Sequence, residues 1–114
     1  MDRARWTVEI SPEVETWYAS LKSKDKAMAD RAFDRLAEYG PELRMPHARL
    51  LGGGLCELRL TCEGTARRVT YHIDTPPKVI TLTTCRKQRQ AERREVARAR
   101  QAMRASKQAG GANG

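Results

Sequence analysis

The sequence predicts a single α+β domain with the element order β-α-α-β-β-β-α. Three observations predict it. A short alternating run opens the chain and two stretches with helical spacing follow. Three alternating or β-branched runs then come in close succession, separated only by turn signals. A long, strongly basic segment without strand alternation comes last. The 114 residues are one domain's worth of chain. The domain is expected to span residues 1–107, and the composition of QAGGANG at 108–114 reads as a disordered tail.

Each element has a local reason. RWTVEI (5–10) sets Trp6, Val8 and Ile10 against Thr7 and Glu9, a strand with one buried face. Ser11-Pro12 starts a helix with a capping hydroxyl followed by a proline in the first turn. Val14, Trp17, Tyr18 and Leu21 form its apolar stripe. A second helix, from about Lys24 to Tyr39, carries Ala29, Ala32, Phe33 and Leu36 on one side and stops at Gly40-Pro41. The short connection makes the two an antiparallel hairpin. Residues 40–54 read as loop, their triple glycine marking a bulge or a close backbone approach before the next strand.

LCELRLTC (55–62) points Cys56, Leu58, Leu60 and Cys62 one way and Glu57, Arg59 and Thr61 the other. After the turn EGT, RRVTYHI (67–73) turns Val69, Tyr71 and Ile73 inward and Arg68, Thr70 and His72 outward. After DTPP, KVITLTT (78–84) is β-branched. The final helix is expected from about Gln90 to Lys107. The three later strands form a meander, and the first strand can pair with its edge. The helices are expected to cover one sheet face and leave the other partly open.

The formal net charge is +8, and its distribution carries the information. Residues 86–114 hold nine basic and two acidic residues, while residues 1–85 are close to neutral. A basic block of this kind marks a nucleic acid or an acidic partner. No broad aromatic or aliphatic face accompanies it, which disfavours a membrane surface. Cys56, Cys62 and Cys85 are odd in number and lack CxxC spacing, so neither a disulfide framework nor a zinc site is expected. They read as small apolar residues in a reducing cytosol. MDRARWTVEI has no apolar targeting core, and no segment is long enough to span a bilayer. A cytoplasmic protein with no metal and no cofactor is the expectation.

The outward residues of the sheet assemble a chemical candidate. Glu57, Arg59, Arg68, Thr70 and His72 share one face of two neighbouring antiparallel strands. Thr81 and Thr83 can join them from the third strand, and Arg86 and Lys87 lie just past its end. Several cations facing one space suit a phosphate, which Arg grips bidentately. An ordinary solvated sheet face, its charges paired across strands, is the alternative. In the last helix the apolar seam is thin (Val96, Ala99, Met103) and balancing acids are mostly missing. Arg89, Arg93, Arg94, Arg98 and Arg100 therefore read, with Arg86, as an anion-facing surface, for which an RNA backbone is one candidate.

LCELRL…RRVTYHI…VITLTTCRKQRQAERREVARA, preceded by a Trp-containing strand and two helices, resembles the RelE/HigB toxins of bacterial type II toxin–antitoxin systems. The similarity covers about residues 5–100. It implies a small metal-independent ribonuclease that cuts mRNA in the ribosomal A site and is held inactive by an antitoxin encoded beside it, expected to be a helix-turn-helix protein. Arg59, Arg68 and Lys87 (or Arg86) match basic positions of the family. Glu57 falls where some relatives are basic, and Cys85 where many have Phe. The aromatic or His that some members carry near the start of the last helix is replaced here by Arg and Glu.

The resemblance implies attack by a 2′-hydroxyl on the neighbouring phosphate. Such a step needs a base, with Glu57 and His72 the candidates, and cations for the developing charge, with Arg59, Arg68 and Lys87 the candidates. A ParE-like toxin acting on a protein such as DNA gyrase, and a non-catalytic RNA- or DNA-binding module, stay open as alternatives.

Overall fold

Five strands form one sheet in the order β1-β5-β4-β3-β2. In this computed structural model, residues 6–75, 77–87 and 91–112 are described. Along the chain the elements are β1 (Thr7–Glu9), α1 (Pro12–Ala19), α2 (Ser23–Tyr39), β2 (Ala48–Gly52), β3 (Leu55–Cys62), β4 (Thr65–Ile73), β5 (Lys78–Arg86) and α3 (Glu92–Ala112), with one 3-10 turn at Gly40–Glu42. β2 through β5 are antiparallel neighbours, and β1 joins the edge parallel to β5.

Local chemistry sets the boundaries. The Ser11 Oγ accepts from Val14 N at 3.3 Å and caps α1, with Pro12 in the first turn. Gly40 caps α2 at φ 51°, ψ −127°, donating its N–H to Leu36 O. The Trp6 ring packs over Gly40 so closely that no side chain fits there.

One sheet face carries the main core. Val14, Trp17, Leu21, Ala29, Ala32 and Leu36 of the hairpin pack on Cys56, Leu58, Cys62, Val69, Tyr71 and Val79. For β3 and β4 this is the inward set that strand alternation predicts. Leu58 and Val69 are fully buried, and each such side chain contributes about 1.5–3 kcal/mol of hydrophobic stabilisation.

The structure departs from the sequence expectation in four places. Residues 48–52, read as loop, form strand β2 on β3, with a bulge between Leu50 and Gly52. The glycines therefore close a hairpin as well as bulging it. Second, the helices do not all lie on one face. α3 covers one end of the opposite face, where Ala99 and Met103 close on Leu55 and Leu82. The thin apolar seam of α3 is this contact. Third, α3 runs on to Ala112, past the end near Lys107 expected of the last helix.

The fourth departure concerns β5. Val69 pairs with Thr84 but Tyr71 pairs with Thr81, so two β5 residues, Leu82 and Thr83, stand opposite Thr70. This bulge changes which face the β5 side chains take. Thr83 joins Thr70, whereas Thr81 turns to the other face. There it donates to Glu9 O and accepts from Ser11 N. Thr81 is thus not part of the outward cluster.

Candidate functional site

Beside α3, the second sheet face opens into a cavity of about 260 Å³. β3 supplies Glu57 and Arg59, β4 supplies Arg68 and Thr70, and the end of β5 supplies Thr83, Cys85, Arg86 and Lys87. Arg49 of β2 and Glu92, Glu95 and Val96 of α3 complete the wall. The period-two alternation of β3 and β4 brings the first four together. Their register is Glu57 opposite Thr70 and Arg59 opposite Arg68.

Arg68 and Glu57 form the floor. Arg68 Nε lies 3.3 Å from Glu57 Oε1, across the ladder diagonal, and both side chains are about nine-tenths buried. Burial lowers the Arg68 pKa, and so does the neighbouring Arg59; Glu57 opposes both. A guanidinium keeps its charge through such shifts. The cavity floor is therefore a fixed cation held by a carboxylate, with a second cation directly across the strand pair. Thr70 Oγ1 and Thr83 Oγ1, 2.6 Å apart, make the polar wall behind them. Arg86 and Lys87 are exposed at the rim. The Lys87 N–H donates to Ala66 O at 3.0 Å, which carries the β4–β5 pairing past Arg86. Burial and the nearby Glu95 push the Cys85 thiol up to about 11, so it is a neutral wall residue.

Of the five candidate catalytic residues, Arg59, Arg68, Glu57 and Lys87 meet in this cavity; His72 does not. It lies on the same face but under α3, 2% exposed, with Nε2 3.3 Å from Ser106 Oγ. Burial, and then Lys107, hold its pKa below the ordinary histidine value, against Asp74 and the Ile73 backbone. The helix that the sequence placed elsewhere is what removes it from the site.

The expected RNA surface also divides. Arg93 and Arg94 are exposed on α3. Arg98 is engaged within the fold: it donates to Glu13 Oε2 and Glu95 Oε2, both at 2.9 Å, and to Thr84 O at 3.3 Å. The hydrogen bond to Glu13 is the main reason its pKa is raised. Glu13 also accepts from Thr84 N at 2.8 Å, so this cluster ties α1, β5 and α3 together. Burial alone would raise the Glu13 pKa, but Arg98 and Thr84 N hold it below the ordinary carboxylate value. Arg100 donates to Gly52 O and Leu51 O, at 3.0 and 2.8 Å, and fastens the β2–β3 hairpin to α3. Arg89 lies outside the described residues.

Sequence reasoning missed Arg49, because β2 was read as loop. The signal was present: two β-type runs flanking glycines are a hairpin pattern. It also gave no role to Glu92 and Glu95, whose place on the cavity wall follows only from the packing of α3. No described helix is long and apolar enough to cross a membrane.

Comparison with known proteins agrees with this architecture. The family model described as phage derived protein Gp49-like (DUF891) matches residues 16–104. No curated protein matches the chain. Among solved structures, a mutant of the E. coli toxin RelE in the free state superposes with a TM-score of 0.60 at 14% identity, covering 89% of this chain and 97% of that one. The RelE-like fold that the sequence resemblance implies is thus the fold observed, and the chain belongs to the family of phage-derived Gp49-like proteins.

Proposed function

We propose that this protein is the toxin of a type II toxin–antitoxin pair and acts as an endoribonuclease on mRNA in the ribosomal A site. The observation that carries the reading is the buried Arg68–Glu57 pair at the floor of a cavity ringed by further cations. A solvated sheet face pairs its charges at the surface; here a guanidinium is fixed inside a recess, where a phosphate would be partly desolvated. Electrostatic stabilisation is strongest in such a place. The RelE fold supports the same reading.

In the proposed step, Glu57 takes the proton of a 2′-hydroxyl, whose oxygen attacks the adjacent phosphorus. The bond from phosphorus to the 5′-oxygen breaks, and that oxygen takes a proton from Lys87 or solvent. The products are a 2′,3′-cyclic phosphate and a 5′-hydroxyl. Arg68 and Arg59 face the equatorial oxygens as charge builds. The exposed Arg86, Arg93 and Arg94 hold the ribosomal RNA backbone without entering the step. The toxin acts in the cytoplasm. Its silent state is a complex with an acidic antitoxin encoded beside it, whose charge speeds association.

The test is translation in a cell-free extract. The proposed enzyme stops it and leaves mRNA cut within A-site codons, and the co-expressed neighbouring gene product restores it. Among the described residues the cavity wall holds no aromatic side chain and no histidine, which favours one second reading, a ParE-like toxin that poisons a protein such as DNA gyrase. Intact mRNA with continuing translation, together with inhibited supercoiling, would select that alternative.

A further inference from the structure

We infer that Arg49 binds the RNA phosphate next to the scissile one, in exchange for its contact with Glu92. The inference rests on the proposed ribonuclease reading and extends it to how the substrate strand lies in the site.

Register supplies the first argument. Arg49 of β2 stands directly opposite Glu57 of β3. Opposite residues of an antiparallel pair share a face, so Arg49 shares the cavity face with Glu57. Its neighbour Ala48 is buried in the core on the other side. The cations of the site therefore form a row across four adjacent strands: Arg86 at the end of β5, Arg68 on β4, Arg59 on β3 and Arg49 on β2. Three strand spacings make this row about 14 Å long, longer than one nucleotide of backbone. A single phosphate held by Arg68 and Arg59 leaves Arg49 facing its neighbour on the β2 side.

The state of the side chains supplies the second argument. Arg68 is buried and fixed by Glu57. Arg49 is half exposed, and its ion pair is with Glu92 on α3, 3.5 Å away and equally exposed. A surface pair of this kind is weak, so a phosphate can displace the carboxylate. Arg49 also lines the shallow recess beyond the cavity, with Leu51, Glu92, Arg93 and Val96. The strand leaving the cavity over β2 thus runs past Arg49 towards the exposed Arg93. Glu92 acts here as an occupant that the RNA replaces.

The experiment uses the full chain and a fluorescent, uncleavable 2′-O-methyl RNA hexanucleotide, with binding followed by anisotropy across a salt series. Arg49→Gln should weaken binding about five- to tenfold at low salt. It should also flatten the log–log salt dependence by about 0.7, the value for one phosphate contact on a single strand. Arg49→Lys should keep the slope. Glu92→Gln should tighten binding in the wild type and do so less when residue 49 is Gln, a coupling that a double-mutant cycle reads directly. An unchanged slope in Arg49→Gln, or equal effects of Glu92→Gln in both backgrounds, overturns the inference. Because this RNA cannot be cut, the result is independent of the nuclease reading. Arg49-dependent binding by a protein that fails to cut mRNA on ribosomes would refute the proposed activity and leave Arg49 as an RNA-phosphate contact with no scissile neighbour.

Discussion

Arg68 Nε and Glu57 Oε1 are 3.3 Å apart in a pair that is about nine-tenths buried, and Arg59 faces Arg68 directly across the β3–β4 ladder. Glu57 holds the Arg68 guanidinium, while that of Arg59 reaches Met45 Sδ at 3.1 Å. Arg68→Ala should leave ribosome binding near normal and lower the saturating single-turnover rate at least ~100-fold. Glu57→Gln should lower the rate and also the stability, by about 2 kcal/mol. That is below the 3–5 kcal/mol for breaking a dry buried pair, because this cavity admits water. The pair Glu57→Leu with Arg68→Met should recover stability in urea unfolding and stay inactive. An active double variant would remove both residues from the mechanism.

The arginines of α3 separate into two kinds. Replacing exposed Arg93 and Arg94 with Gln should weaken ribosome binding and flatten its log–log salt dependence by roughly 1–2 units. The rate at saturating ribosome should stay the same, since uniform binding does not enter the chemical step. Arg98→Gln should do neither. It breaks the link to Glu13 and Glu95, partly exposed groups, and should cost about 1 kcal/mol of stability. Melting temperatures and salt titrations of the same variants distinguish these outcomes.

Acid should loosen α3. The folded-state pKa of His72 is depressed by burial, so the unfolded chain binds its proton more readily. Stability from this group is fully present above about pH 6.5, the unfolded value, and falls as the pH drops below it. His72→Gln keeps a side chain able to pair with Ser106 and cannot charge. The melting temperature of the wild type should therefore drop more between pH 7 and pH 5 than that of the variant. Parallel curves would show that His72 is not responsible.

Gly40→Ala should destabilise the fold by about 3 kcal/mol. The added Cβ would meet the Trp6 ring at 2.5 Å, and the residue sits at φ 51°. Overpacking and a positive φ each contribute to that cost. Chemical denaturation gives the number, and a loss under 1 kcal/mol would mean that Trp6 moves aside freely.

Cleavage should persist in EDTA, apart from the magnesium that ribosomes themselves require. The proposed step takes its positive charge from guanidiniums and Lys87. Activity on naked RNA that chelation abolishes and manganese restores would contradict it.

Local patterning specifies the sheet's central strands and their two faces. In LCELRLTC and RRVTYHI every other residue is apolar, and a one-residue slip would bury the charged set. The Arg68–Glu57–Arg59 cluster is therefore legible from the alternation alone. So are the capped start of α1 at Ser11 and the end of α2 at Gly40, which depend on neighbouring residues. Long-range packing settles the rest. β2 is a short edge strand with Leu50 exposed, so its alternation is faint, and only pairing with β3 brings Arg49 to the site. The β5 bulge, which turns Thr81 away, depends on register between strands. The docking of α3 buries His72 and commits Arg98 and Arg100 to the fold. A basic residue looks the same in sequence whether its partner is solvent, a carboxylate from α1 or a carbonyl of β2. Only the packing of distant segments assigns that partner.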